Sequence, residues 1–404
     1  MREYDDAIKD IYSALSKHRP AVEITDLATS LGRVLAEDFH SPMDVPPAAN
    51  SAMDGYALST TDAGNLPITL DISQRVAAGK APKALQPGTA ARIFTGAEIP
   101  PGADCVVMQE NCTQNGDGTV TINEGARPQG NIRPQGQDIG LGDRVLTSGT
   151  VLRGQELALL ASMGFAKVPT FTPVKVAVFS TGDELIQVGQ PLEPGQIYDS
   201  NRIMIESMCK GLGCTIVESS HIPDNLETTT KTLQSAAQYA DIIVSCGGVS
   251  VGDEDHVKTA VDAIGRMDFW KINIKPGKPF AFGEIHRADN DDGQQASCTF
   301  IGLPGNPVSA FSTMTLFGKT AVRARQGLSS ASLQTYQSAC LFSVDKAQKR
   351  TEFARVNVMH HGAERYENQS SGVLSSVCWA NGLAIIPANT TLAKGDTIQI
   401  VPLT

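Results

Sequence analysis

Between Pro173 and about residue 328 the chain alternates short buried-type runs with helix-type runs, and nothing else in the sequence restricts the fold so strongly. VKVAVFSTG, CTIVESSHI, DIIVSCGG and CTFIGLPG are apolar runs bounded by turn residues. SNRIMIESMCKGLG, LETTTKTLQSAAQYA, DEDHVKTAVDAIG and NPVSAFSTMTLFGKTAVRA carry apolar residues at helical spacing. Strands and helices alternating at this pitch predict a parallel sheet flanked by helices. FWKINIKPGKPFAFGEI reads as a hairpin added to that sheet.

The flanks differ in texture. The first forty residues read as helix, with Ile8, Ile11, Tyr12 and Leu15 on one face and LATSLGRVLAED continuing the habit. From about Pro46 the runs shorten to PITLDIS, TAARIFTG, DCVVMQE and TVTINEG, broken by Gly and Pro, as in a β-rich module. ELALLASMGF then returns to helix, and the last part (VNVMHH, GLAIIPAN, DTIQIVPL) is β-type, as in a small barrel or sandwich. The expected organisation is a discontinuous helical domain (1–45 and 141–170), an inserted β-rich domain (46–140), an α/β domain (171–328) and a C-terminal β domain, a small barrel or sandwich (329–404).

Composition narrows the function. Thirty-three Lys and Arg against forty-three Asp and Glu give a net charge of −10, which removes the basic footprint of a nucleic-acid-binding protein. No run approaches a membrane span, and the acid-bearing start lacks the features of a secretory signal. Eight cysteines are scattered without C-x-x-C spacing, so reduced, mostly buried thiols and a cytoplasmic location are expected. His360–His361 has no Cys or carboxylate at ligand spacing and is read as structural.

Ligands of open parallel sheets bind outside the carboxyl ends of the strands. Here those ends carry Thr181-Gly182-Asp183-Glu184, Pro223-Asp224-Asn225, the loop from Gly247 and Gly248 through Ser250 to Asp255, and Pro304-Gly305-Asn306. Glycines there admit positive φ and close backbone approach, and the helices that come after them offer N–H groups to an anion. Taken singly, each loop reads equally well as a tight turn or an N-cap. No G-x-G-x-x-G opens the first helix and no G-x-x-x-x-G-K-[ST] occurs, which excludes a dinucleotide fold of that type and a P-loop. Lys275 and Lys278 flank Pro276-Gly277, a candidate oxyanion clamp. Glu184, Asp224 and Asp255 are candidate ligands for Mg²⁺, which takes one or two carboxylates together with substrate phosphates.

PxxNSAMDGYA, RIFTGAxIPxGAD, VVMQE, NIRxxGxDI, FSTGDEL, GQIYDSN, SCGGVSVGDxD, IKPGKPFAFG and GLPGNPVS occur in that order from near the start to the end of the α/β segment. Together they resemble the molybdopterin molybdenumtransferase (MoeA) family, to which the C-terminal domain of gephyrin also belongs. The resemblance implies a multidomain α/β plus β protomer of the four parts above. It also implies a homodimer whose cleft combines the inserted domain of one subunit with the α/β and C-terminal domains of the other. The implied reaction is insertion of molybdate into adenylylated molybdopterin, with Mg²⁺, to give molybdenum cofactor and AMP. The implied partners are those substrates, a second copy of the chain and other proteins of molybdenum cofactor biosynthesis; nucleic acid and membrane are not expected. By motif, Asp54, Thr95, Asp138, Glu184, Asp224 and Asp255 take the catalytic places. Thr181, Gly182, Gly247, Gly248, Ser250, Lys275, Lys278, Pro304, Gly305 and Asn306 take substrate-binding places. Arg355 and Ser371 take further ones on the C-terminal module.

Two alternatives stand beside this expectation. One is the preceding adenylylation step, carried out by single-domain proteins that share the α/β fold. The other is a non-enzymatic scaffold. The two flanking β modules and the PGKP turn argue against the first, and the lack of extra N-terminal domains and linkers in these 404 residues against the second.

Overall fold

The computed structural model describes residues 2–248, 256–287, 297–330 and 332–403. They form two compact units: Met1–Glu37 with Ser148–Arg153 and Val168–Thr404, and Asp38–Thr147 with Gly154–Lys167.

The larger unit is built on a six-stranded sheet: β1 (Lys175–Thr181), β2 (Thr215–Ile222), β3 (Ile242–Cys246), β4 (Gly265–Lys271), β5 (Pro279–His286) and β6 (Ser297–Leu303), in the order β2-β1-β3-β6-β5-β4. The first four in that order are parallel, and β5 and β4 add an antiparallel edge. After its first residue β1 is wholly buried, and so is β3, which is why both read as unbroken apolar runs. Successive side chains serve opposite faces. Val176 and Val178 meet Ile205, Met314 and Phe317 on one side, where the helix Tyr4–Leu15 lays Ala7, Ile8 and Ile11. Ala177 and Phe179 meet Leu233, Val257 and Val261 on the other.

Local signals explain the covering helices. Asp199 caps the helix Ser200–Gly211 by accepting from the Arg202 N–H, and Asn225 caps Leu226–Ala236 by accepting from the Thr228 N–H at 3.0 Å. The last covering segment runs from Pro307 to Arg325 and widens to a π-helical stretch over Met314–Gly318. A Cβ at Gly318 would lie 2.2 Å from Met314 Sδ, so a larger residue there would have to displace the Met314 side chain.

The structure departs from the sequence expectation at two places. The first forty residues are not continuous helix: after Tyr4–Leu15 the chain forms a strand, Val22–Asp26, which pairs with Lys167–Phe171, and then a short 3-10 turn. Gly32, at φ +77°, then interrupts any helical path from that turn onward. The second place is the hairpin. β4 and β5 do pair antiparallel, but Ile274–Lys275 between them leaves that sheet and pairs parallel with Thr351–Glu352. The C-terminal sheet therefore runs Ile274–Lys275, Thr351–Met359, Gly382–Ile386, Thr397–Pro402 and Tyr336–Ala339, with Gly362–Arg365 on a branch.

The smaller unit carries its own six-stranded sheet, in which Gly55–Leu58 lies between Cys105–Met108 and Thr89–Ile93. Gly55 faces Met108 so closely that a Cβ there would stand 1.9 Å from the Val107 carbonyl oxygen. Because the obstacle is backbone, it cannot swing aside. Gly55→Ala should cost about 1–3 kcal/mol or more. Urea unfolding monitored by a probe in this unit checks it, with an unchanged midpoint as the contrary result.

Candidate active site

A cleft of about 710 Å³ opens at the carboxyl ends of β1, β3 and β6. In the order β2-β1-β3 the connections leave in opposite directions on either side of β1, and such a switch point makes a crevice. Thr181, Gly182 and Glu184 line it after β1, Asp224 after β2, Gly247 and Gly248 after β3, and Pro304, Gly305 and Asn306 after β6. Loops far apart in sequence thus converge, as expected. Ser250 and Asp255 lie outside the described residues.

The glycines are required by geometry. Gly182, Gly247 and Gly248 have φ of 137°, 96° and 63°. A Cβ at Gly247 would come 2.6 Å from the Thr181 carbonyl oxygen, and one at Gly248 2.5 Å from Val257 Cγ2 and 2.9 Å from Thr181 Oγ1. The turn after β3 therefore folds directly over the end of β1, and bare backbone faces the cleft.

The cleft floor holds two residues absent from the sequence-based shortlist. Asp199 is 2% exposed, accepts the Ser180 hydroxyl at 2.6 Å and pairs with Arg202 Nε at 2.8 Å. Asn201 donates from Nδ2 to the Gly305 carbonyl at 2.6 Å, while its buried Oδ1 has no partner. An unsatisfied acceptor beside a cleft is a place for a ligand's donor. The available signal is the GQIYDSN motif itself, whose aspartate and asparagine sit where a strand-like segment turns into helix. Cys246 also lines the cleft, and burial pushes its thiol up to about 12.

The carboxylates are less concentrated than the motifs suggest. Glu184 is exposed, its carboxylate folded back against Gly182. Asp224 is partly exposed and lies 4.0 Å from His256 Nε2. Among the described residues no three His, Cys, Asp or Glu side chains gather as a metal-binding group.

The lysine turn comes next to the cleft, which it enters through Pro279. Lys275 Nζ lies 3.6 Å from Glu352 Oε2, whose other oxygen takes Arg365 at 2.7 Å. Glu352, 3% exposed, is a further residue the sequence did not single out. Lys278 is exposed. Gly277, at φ +104°, presses against Thr313: a Cβ would come 2.6 Å from its Cγ2.

Arg355, expected at a ligand, lies inside the C-terminal module. Its side chain is 1% exposed, with Nε bonded to Ser376 Oγ at 3.0 Å and Nη2 to the Ser370 and Asn368 carbonyls at 3.0 and 3.3 Å. Burial pulls its guanidinium down to about 10, still protonated at neutral pH. Arg355 therefore holds the 368–376 loop instead of reaching a ligand. Ser371 in that loop accepts the Val308 N–H at 3.0 Å through its carbonyl, next to the cleft residue Pro307.

In the smaller unit, Asp54 Oδ1 accepts the Thr95 N–H at 2.8 Å, which joins two of the expected catalytic residues. Asp138 is exposed on another loop, anchored by its N–H to the Val45 carbonyl at 3.0 Å. Beside Asp54, Arg92 bonds the Gly55 carbonyl and Gln109 and stacks 4.8 Å from the Phe94 ring.

Three family descriptions match consecutive stretches of the chain: the MoeA N-terminal region (domains I and II) over residues 2–164, a probable molybdopterin-binding domain over 177–324, and the MoeA C-terminal region (domain IV) over 337–403. The chain is 38% identical to the molybdopterin molybdenumtransferase of Haemophilus influenzae over 388 residues, covering 94% of this chain and 93% of that one. The chain belongs to the MoeA family. It is also 33% identical to the molybdopterin molybdenumtransferase of a Nostoc species, covering 94% of this chain and 88% of the relative. The solved MoeA molybdopterin biosynthesis protein of Pyrococcus horikoshii superposes with a TM-score of 0.85 at 28% identity, covering all of both chains. The switch-point cleft lies within the stretch matched by the molybdopterin-binding description.

Arg355→Lys keeps the charge but cannot reach three acceptors at once. The 366–376 segment should then be nicked by protease about tenfold faster, as its local opening becomes cheaper. Peptide mapping of limited digests reads this, and an unchanged rate would mean that the loop is held by other contacts.

Proposed function

We propose that the protein is a molybdopterin molybdenumtransferase that joins molybdate to adenylylated molybdopterin, releasing AMP and molybdenum cofactor. The observation that carries this reading is the switch-point cleft, where bare glycine backbone, the orphan Asn201 Oδ1 and an adjacent lysine turn meet. Such a site suits a ligand with a polar pterin edge and a string of anionic groups.

In this reading Gly182, Gly247 and Gly248 let the phosphates approach the backbone without a side chain between. Asn201 Oδ1 accepts a donor of the pterin. Lys278, exposed and without the carboxylate that offsets Lys275, supplies most of the attraction for molybdate. The Arg355-held loop keeps Ser371 and the start of the 307 helix in register with the cleft. An oxygen of water or of molybdate attacks a phosphorus of the phosphoanhydride, one P–O bond forming as the bridging one breaks, so that AMP and the molybdopterin monophosphate separate; as the two sulfurs bond to molybdenum, one molybdate oxygen leaves as water with the two thiol protons.

Glu184 and Asp224 are hard oxygen donors in a partly open cleft. They fit Mg²⁺, which keeps waters and completes its shell with substrate phosphates. When bound there the ion would neutralise charge on the phosphate oxygens. The same reading keeps the four-part protomer with its C-terminal barrel, a cytoplasmic location, and association with other proteins of the pathway. Among the described residues no helix is long and apolar enough to cross a membrane.

AMP release from adenylylated molybdopterin, dependent on both molybdate and Mg²⁺, is the direct test. Release that ignores molybdate would overturn the assignment. Lys278→Gln should raise the molybdate concentration for half-maximal release by about tenfold, or ~1.4 kcal/mol, with thermal stability almost unchanged. A midpoint equal to wild type removes Lys278 from the site.

Asp54, Thr95 and Asp138 reach substrate, in this proposal, in the cleft of a second copy. Sedimentation should therefore give a particle of about twice 42.8 kDa. A fully active monomer at micromolar concentration is the contrary finding.

A further inference from the structure

The amino-terminal ends of β1 and β3 open onto a second pocket of about 400 Å³, lined by Lys175, Tyr239, Asp241, Arg287 and Arg325. It lies at the edge opposite the cleft, separated from it by the length of β1, roughly 20 Å at the usual strand rise.

Among the described residues its charges do not balance. Arg287 and Arg325 both bring Nη2 to a single oxygen, Asp241 Oδ1, at 3.7 and 3.5 Å. The other oxygen, Oδ2, is taken by the Lys175 backbone N–H at 2.9 Å. One carboxylate thus faces two guanidinium groups. Arg287 Nη2 also donates to the Ala240 carbonyl at 2.6 Å and Arg325 Nη1 to that of His18 at 3.4 Å, and Arg287 hydrogen-bonds the Cys298 side chain. The Nε–H of each is buried with no hydrogen-bond partner.

Among the described residues, neighbouring groups do not supply the missing charge. Glu284 is paired with Arg266 at 3.3 Å, and Glu218 accepts the Tyr239 hydroxyl. His18 is held toward its neutral form by burial and by Arg325, so it neither adds nor offsets charge at neutral pH. Partly buried guanidinium groups short of acceptors are costly. Their planar forks match an oxyanion with several acceptor oxygens.

We propose that this pocket binds a small tetrahedral oxyanion, either free or as the terminal phosphate of a small molecule. The bound oxygens would accept from the guanidinium Nη–H groups and offset the charge that Asp241 leaves over. No covalent step is involved, and the site is independent of the function proposed for the cleft.

Isothermal titration of the full chain at constant ionic strength tests this, with inorganic phosphate in one arm and ribose 5-phosphate in the other. Wild type should bind saturably, and the preferred arm identifies the source of the anion. Arg287→Gln should weaken binding about tenfold or more. Lys278→Gln removes only the anion site proposed at the lysine turn and should leave an Arg287-dependent phosphate-binding event in place. Asp241→Asn should strengthen it, because the competing carboxylate is gone. Should Arg287→Gln fail to fold by circular dichroism, the exposed Lys175→Gln replaces it with a smaller loss expected. Absence of saturable binding to wild type at millimolar concentrations overturns the proposal. So does binding that Lys278→Gln abolishes and Arg287→Gln leaves intact.

Discussion

The close passage of the Gly247–Gly248 turn over the end of β1 is the contact on which the cleft depends. It sets bare backbone beside the loop that bears Glu184. The hydrogen bond from the Gly247 N–H to the Leu303 carbonyl, at 3.1 Å, ties the same turn to the end of β6. Asn201 then links the helix Ser200–Gly211 to Gly305. Three loop systems are thus fastened to one another through main-chain groups, and side chains projecting from them inherit positions fixed by the sheet. Sites supported by strand ends are held more firmly than sites on free loops.

The same economy governs the lysine turn. Ile274–Lys275 belongs to the C-terminal sheet, while the strands on either side of it belong to the central one. The turn is therefore clamped between two cores, with Gly277 pressed on Thr313 as a third restraint. Glu352 completes the arrangement, a nearly inaccessible carboxylate shared by Lys275 and Arg365. Buried charges of this kind contribute less to stability than to fixing one geometry.

Much of this is legible in the residues. The buried strands are readable because a strand covered on both faces leaves an uninterrupted apolar run, as in DIIVSC. The loops of the cleft are readable because glycine clusters at strand ends are uncommon without a geometric cause. Other features leave no such trace. Val22–Asp26 reads as helix because a short edge strand with mostly exposed residues has no apolar alternation to betray it. Arg355 looks like a ligand because a sequence does not say whether a charged side chain points outward or satisfies carbonyls within its own module. Glu352 and Asn201 escape notice since their importance lies in partners 77 and 104 positions away.

The thiol of Cys246 has a consequence for a protein that, in the function proposed here, joins molybdenum to a pair of sulfurs. Thiolates compete for such metals, whereas protonated thiols do so poorly. Held up to about 12 by burial at the wall of the cleft, Cys246 stays protonated across the physiological range. Cys209, Cys214 and Cys298, elsewhere in the same unit, are pushed up in the same way. On the function proposed here, the protein keeps these sulfurs out of the reaction, and molybdenum in the cleft is left to the sulfur of the substrate.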